Sequence, residues 1–414
     1  MNILDSYYLD YEKRRPQFCA VISSLVRLRG IAPPQEDVAK LAAERIGSLP
    51  RLRSAPRWRT GRRPRLVPYD SFDIAEHLST VAIAPGGQQQ LHKVVGELLG
   101  QRLGASPPPW RLDVLSGYDP GEFALLLRFH HCLFDGLSAT TVWQHLLGTA
   151  RATSPALPSY PARTRGAVRG LISALATPPG PVLPLNDHAD PHRRLILAIA
   201  GIPRAVLEEA RDHASVLGRA TLNDVYLAAV TGALRRTLLG TPHHRLPDTV
   251  NALVPVNTRP PQHRHLLGNH VSMIRASLPI GRASAAQRLA DVHRAMSAAK
   301  RRNHAAGVAL LAATADRMGD LGRSLVWRVC YHPRIGNLIC SNVPIVTAPL
   351  ALAGRPVTHM SATAALPHRH GLSVAMHGYG DHMTFSIVGD ERLADLVHAF
   401  SSDLEEECRT LAGA

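Results

Sequence analysis

Residues 129–136 read Phe-His-His-Cys-Leu-Phe-Asp-Gly, an HHxxxDG spacing in which three residues separate the second histidine from an aspartate. An imidazole has a reference pKa of about 6.5, so a partly desolvated histidine at the rim of a core is suited to take a proton at neutral pH. That is general-base chemistry. His130 and His131 are neighbours on an extended segment, so their side chains point to opposite faces and cannot do the same job. Asp135 can orient an imidazole or bridge to an arginine elsewhere and fasten the loop, while Gly136 offers a backbone conformation denied to other residues. Two other readings compete. One is a core pair of histidines beside a helix cap. The other is a metal set of His130, His131, Cys132 and Asp135, disfavoured because adjacent histidines diverge and no second ligand pair stands out.

The elements that must hold these residues follow from periodicity. Glu122 to His130 is short, apolar and bounded by turns, which predicts a buried strand ending at the histidines, with a helix starting near Ser138. Helices are expected at Gln35 to Ile46, Gln89 to Gly100, Pro203 to Leu217, Ser284 to Arg302 and Arg392 to Leu411. Another starts at Thr221, where Thr221 and Asp224 have capping-box spacing. Strands are expected at Leu195 to Ile202, Val250 to Asn257, His270 to Leu278 and Ile335 to Ser341. A further pair, Leu372 to Gly378 and Met383 to Val388, flanks a Gly380-Asp381 turn. The class is mixed α/β.

At 414 residues the chain has room for two lobes, and 45% hydrophobic with 19% charged residues is a globular composition. A run rich in Pro, Ala and Ser predicts a connector at 151–192 between an N-terminal lobe, 1–150, and a C-terminal lobe, 193–414. No apolar stretch reaches the ~18 residues of a membrane span. Five scattered cysteines without a CxxC pair suggest neither a disulfide framework nor a thiolate zinc site, and a reducing cytoplasm suits them.

The charge balance is 47 Lys+Arg against 32 Asp+Glu, a net +15, and the only lysines are Lys13, Lys40, Lys93 and Lys300. Arginine in place of lysine is what a GC-rich genome writes, but it leaves the net charge unexplained. Arg51, Arg53, Arg57, Arg59, Arg62, Arg63 and Arg65 cluster in one segment, read first as a solvated loop and otherwise as a surface for phosphates or an acidic partner. Nucleic acid is disfavoured, because 5% aromatic residues leave few stacking platforms.

HHxxxDG, with PPPWRLDVL (Pro107 to Leu115) upstream, resembles the wax ester synthase/diacylglycerol acyltransferase (WS/DGAT) family, within the superfamily of CoA-dependent acyltransferases and condensation domains. Further blocks in the family's order are ILDSYYLDYE, PLN (Pro184 to Asn186), TLNDVYLAAVTGALRR (Thr221 to Arg236), LVPVNTRP (Leu253 to Pro260), LGNHVSM (Leu267 to Met273) and SNVP (Ser341 to Pro344). The resemblance covers nearly the whole chain. It implies a two-lobed, chloramphenicol acetyltransferase-like α/β fold with a channel between the lobes. It also implies an O-acyltransferase that moves an acyl group from an acyl-CoA or acyl carrier protein thioester to an alcohol, with no bound cofactor or metal. His131 would be the base, His130 supportive, and Asp135 structural through pairing with Arg259.

Asn269 and Asn342 are candidate oxyanion donors, each also readable as a turn or sheet residue. Ile345-Val346 stands where the family often continues Gly-Pro after SNVP. Alternatives are condensation-type amide or ester formation from a carrier-bound donor, and a non-catalytic relative that only binds an acyl carrier. The expected partners are the thioester and a hydroxyl or amine acceptor, with a carrier protein or a peripheral membrane surface compatible with the charge. The expected location is cytoplasmic.

Overall fold

The computed structural model describes residues 3–15, 18–59, 62–104, 107–148, 166–186, 193–214, 220–240, 245–263 and 266–413. Half of the expected connector, 151–165 and 187–192, lies outside them. In chain order the first half holds α1 (Ile3–Arg14), β1 (Val21–Arg29), α2 (Gln35–Arg45), β2 (Ser54–Arg59), β3 (Arg62–Pro68) and β4 (Leu78–Ala82). It continues with α3 (Gly87–Leu99), β5 (Trp110–Asp119), β6 (Glu122–His130) and α4 (Gly136–Leu147). The second half opens with α5 (Ala167–Leu175), β7 (Leu195–Pro203), α6 (Arg204–His213), α7 (Leu222–Leu239), β8 (Val250–Asn257) and β9 (Val271–Leu278). Then come α8 (Ala285–Arg301), α9 (His304–Arg317), α10 (Gly319–Cys330) and β10 (Leu338–Asn342). The chain ends with β11 (Ala351–Leu352), β12 (Arg355–Ala362), β13 (Leu372–Tyr379), β14 (His382–Asp390) and α11 (Ala394–Gly413).

Two six-stranded sheets organise these elements, in the orders β11-β12-β1-β6-β5-β4 and β7-β14-β13-β10-β8-β9. Strand β6 lies between β1 and β5 and is buried on both faces, which is why its sequence reads as an unbroken apolar run. Strand β9, at a sheet edge, instead alternates half-buried and buried residues along its length. Helix α7 is buried nearly all round and starts with the capping box of Thr221 and Asp224 expected from their spacing.

The lobes meet along α3 and β7. Gly96 makes this approach possible, since a Cβ there would come within 2.9 Å of the Leu195 carbonyl oxygen. Leu91 and Val95 of α3 share one apolar cluster with Leu197 and Val388 of the second sheet. A second link differs from the sequence expectation of an uninterrupted second lobe: β12 leaves it and pairs antiparallel with β1, Ser24 opposite Ala362. It still touches the sheet it left, because Thr384 Oγ1 donates to the Met360 carbonyl at 2.8 Å. No periodic signal marks β12, since an edge-crossing strand is selected by its partner more than by its own pattern.

The arginine-rich segment is not a loop. Ser54–Arg59 and Arg62–Pro68 form an antiparallel hairpin in which Arg57 lies opposite Arg65. The segment His368-Arg369-His370 is tied inward: His370 is 1% exposed with Nε2 2.7 Å from the Gly336 carbonyl, and His368 Nδ1 lies 2.6 Å from Tyr11 Oη.

Candidate active site

His131 follows the last residue of β6 and extends the ladder by one bond, its N–H donating to the Ala20 carbonyl at 2.8 Å. The two histidines diverge as strand geometry requires. The His131 ring stacks on Tyr8 of α1, with centroids 4.0 Å apart and planes 9° from parallel. Its Nδ1 lies 3.1 Å from Asn269 Oδ1, just before β9.

The tautomer follows from the partners of Asn269. Its Nδ2 donates to Asp5 Oδ1 at 2.8 Å and to the His131 carbonyl, so Oδ1 is the atom presented to the ring. An amide oxygen only accepts, so Nδ1 carries the proton and Nε2 keeps the basic lone pair. Burial pushes the His131 pKa down to about 4, a drop that the acceptors around the ring, including its own carbonyl, and the more distant Asp135 charge do not offset. The imidazole is therefore neutral at pH 7.

Asn269 thus differs from the oxyanion-donor expectation, because both of its amide hydrogens are engaged. Asn342 is exposed at the end of β10, with Nδ2 3.3 Å from Asn223 Oδ1. His130 is 1% exposed and turned away, its Nδ1 accepting the Cys132 N–H at 3.0 Å. Nδ1 is therefore unprotonated, and Nε2 bears the hydrogen facing Glu12 Oε2 at 3.3 Å.

Asp135 does not touch the base. Its Oδ2 lies 2.6 Å from Arg259 Nη1 and accepts the His270 N–H at 2.9 Å. Its Oδ1 accepts Arg259 Nη2 at 3.0 Å and both the N–H and hydroxyl of Ser138 at 2.9 Å. It is the N-cap of α4 and half of a buried ion pair. Despite burial, Arg259 and these N–H donors hold the carboxyl below its ordinary range. Of the two roles open to Asp135, the structure gives it the fastening one, tying the HHxxxDG turn to the loop between β8 and β9. Gly136 also departs from expectation. It sits in ordinary backbone as the first residue of α4, and its missing side chain matters for space: a Cβ would lie 2.9 Å from Val343 Cγ2.

Four residues that shape this site were not singled out. Asp5, Tyr8 and Glu12 lie on α1 at i, i+3 and i+7, one helix face, and that spacing of polar and aromatic side chains was the available signal. Arg51, from the arginine cluster, donates to the Leu133 carbonyl at 2.8 Å, and its Nη2 lies 3.5 Å from Asp5 Oδ2. A chain of polar contacts therefore runs Arg51, Asp5, Asn269, His131.

Two sheets joined by a crossing strand, with a neutral histidine at the junction, define the class as the two-lobed CoA-dependent acyltransferase fold. Residues 1–214 match the wax ester synthase/diacylglycerol acyltransferase catalytic domain and residues 267–412 the WS/DGAT C-terminal domain, so the chain belongs to the WS/DGAT family and is an O-acyltransferase. A probable diacylglycerol O-acyltransferase of Mycobacterium tuberculosis is 28% identical over 94% of this chain and 90% of its own length. The wax ester synthase/diacylglycerol acyltransferase of Marinobacter aquaeolei superposes with TM-score 0.72 at 24% identity, covering 100% of both chains. The starter condensation domain of rhizomide synthetase, in complex with C8-CoA and Leu-SNAC, superposes with TM-score 0.69 at 11% identity, over 99% of this chain and 93% of its own.

Proposed function

We propose that this chain forms esters by moving an acyl group from a CoA or carrier-protein thioester to a hydroxyl acceptor, with His131 as general base. The observation that carries the reading is the neutral His131 ring, stacked on Tyr8 with its Nδ1 turned to Asn269. His131 Nε2 takes the hydroxyl proton as the acceptor oxygen attacks the thioester carbonyl carbon. The tetrahedral oxyanion then collapses, the C–S bond breaks, and the leaving thiolate recovers the proton from Nε2. The enzyme is never acylated. Asn269 acts as a positioning residue that fixes the tautomer, and Asp135 with Arg259 holds the turn in place. His130 supports β6 from its other face.

The named activities of the relatives favour long-chain alcohols or diacylglycerol as acceptors, and the CoA-bound condensation domain favours a pantetheine thioester as donor. The likeness to condensation domains also supports a second reading, in which an amine or hydroxyl is acylated from a carrier-bound donor during natural-product assembly. Among the described residues no helix is long and apolar enough to cross a membrane, and apolar substrates would then be met at a membrane surface.

The test is thiol release from acyl-CoA with a long-chain alcohol and the matching amine, read with product mass spectrometry. A general base contributes roughly 10²- to 10⁴-fold, so His131→Ala should lose about that much acceptor-dependent release. A wild-type rate in that variant would refute the assignment, and turnover of the amine alone would select the condensation-type reading. Binding of donor without turnover by the wild-type protein would select a non-catalytic carrier-binding role.

A further inference from the structure

Helix α10 is built the wrong way round for a helix that faces water. Met318, just before it, and Leu321, Leu325 and Val329 within it are 62%, 78%, 56% and 44% exposed. They recur at steps of three, four and four residues, so they form one continuous row. The opposite face buries an arginine: Arg323 is 4% exposed, with Nε 3.1 Å from Asp10 Oδ2 and Nη1 3.3 Å from Asp316 Oδ1, and it also pairs with Asp320. Scattered exposed leucines are ordinary, but a four-member row with the charge turned inward is not.

A second row lies on α5, which like α10 packs against α9. Val168, Ile172 and Leu175 of α5 are 59%, 64% and 66% exposed. Both helices pack on α9: a Cβ on Gly307 would come within 2.1 Å of the Leu171 nitrogen, and one on Gly322 within 2.3 Å of the Ala315 carbonyl oxygen. These backbone-close crossings clamp α5 and α10 to opposite ends of α9, a helix about 21 Å long at 1.5 Å per residue. The fringe of α10 is basic, with exposed Arg317, Arg328, Lys13 and Arg14. The exposed acid beside them, Asp320, is already paired with Arg323 and lies 3.9 Å from Arg14.

We propose that the outer faces of α10 and α5 dock on an anionic lipid membrane, the apolar rows entering the headgroup boundary and the arginines meeting lipid phosphates. The net +15 charge of the chain supplies the long-range attraction. The position suits the chemistry, and in this the inference rests on the ester-forming reading above. Directly after α10, Tyr331 is hydrogen-bonded to Tyr8, the ring stacked on His131, so the docked helix leads to the base. A lipid-soluble acceptor would arrive beside the site without crossing water.

The test is co-sedimentation of the full chain with vesicles of phosphatidylcholine containing about one third phosphatidylglycerol, against pure phosphatidylcholine. Wild type should pellet with the anionic vesicles and be released by salt. Leu321→Ser/Leu325→Ser, which alters exposed positions only, should bind at least about tenfold more weakly. It should turn over a short-chain, water-soluble thioester and alcohol at the wild-type rate. His131→Ala should bind vesicles normally while losing ester formation, so the surface and the chemistry are read separately. Equal pelleting of the leucine variant and wild type, or wild type left in the supernatant, overturns the proposal. So does a wild-type dimer in sedimentation velocity that the variant abolishes, which would assign the row to a second copy of the chain.

Discussion

Replacing Asp135 by Asn removes one charge and changes little volume, but it strands several partners at once. The Arg259 side chain is fully buried, so the variant leaves an uncompensated guanidinium in the core, a loss of about 3–5 kcal/mol for pairs of this kind. The new amide nitrogen would also face donors, because the carboxylate accepts N–H groups from His270 and Ser138. Urea unfolding followed by circular dichroism at neutral pH measures the change. Asp135→Asn/Arg259→Met removes the stranded charge and should recover about 1–2 kcal/mol against the sum of the single variants. Exchanging the charges, Asp135→Arg with Arg259→Asp, should not restore stability, since an arginine cannot accept the Ser138 and His270 N–H groups. A loss below about 1 kcal/mol for Asp135→Asn, or strict additivity in the double variant, would refute the fastening role.

Other outcomes follow from the same geometry. With the His131 pKa at about 4, the acid limb of kcat/KM should lie near that value, well below an ordinary histidine; a limb near 6.5 would contradict the burial argument. Asn269→Asp should move this limb upward by placing a carboxylate beside Nδ1, whereas Asn269→Ala should lower kcat without moving it in that direction. His131, His370 and His377 all have pKa values depressed by burial, to about 4, 3 and 4, so the unfolded chain binds more protons below its own pKa of about 6.5. Their stabilisation is present above that pH and is lost as pH falls toward the folded values, visible as a falling urea midpoint. Gly136→Ala should cost about 1–3 kcal/mol through contact with Val343, and Val343→Ala in the same chain should relieve it.

Much of the architecture was legible because its signals are local. The apolar run of β6, the capping box of α7 and the turn between β13 and β14 each depend on residues within a few positions of one another, and the structure has them there. β12 was not legible, because its partner β1 lies more than three hundred residues away in the chain and supplies the pairing. The face of α1 that carries Asp5, Tyr8 and Glu12 was legible in spacing but not in purpose. A polar helix face reads as solvated until another element covers it, and here the covering element is the histidine turn.

The sequence alone determined that two imidazoles end a buried strand, that they must diverge, and that an aspartate and a glycine open the helix beyond. These follow from strand alternation and capping, which act over a few residues. The family resemblance had already named the Asp135–Arg259 pair; only the tertiary structure decided that Asp135 leaves the imidazole to Asn269, and that Nε2 is the basic atom. It alone drew Arg51 out of a basic cluster into the site. Those outcomes depend on which groups are desolvated together, and that is fixed when distant segments pack, not by the spacing of residues along the chain.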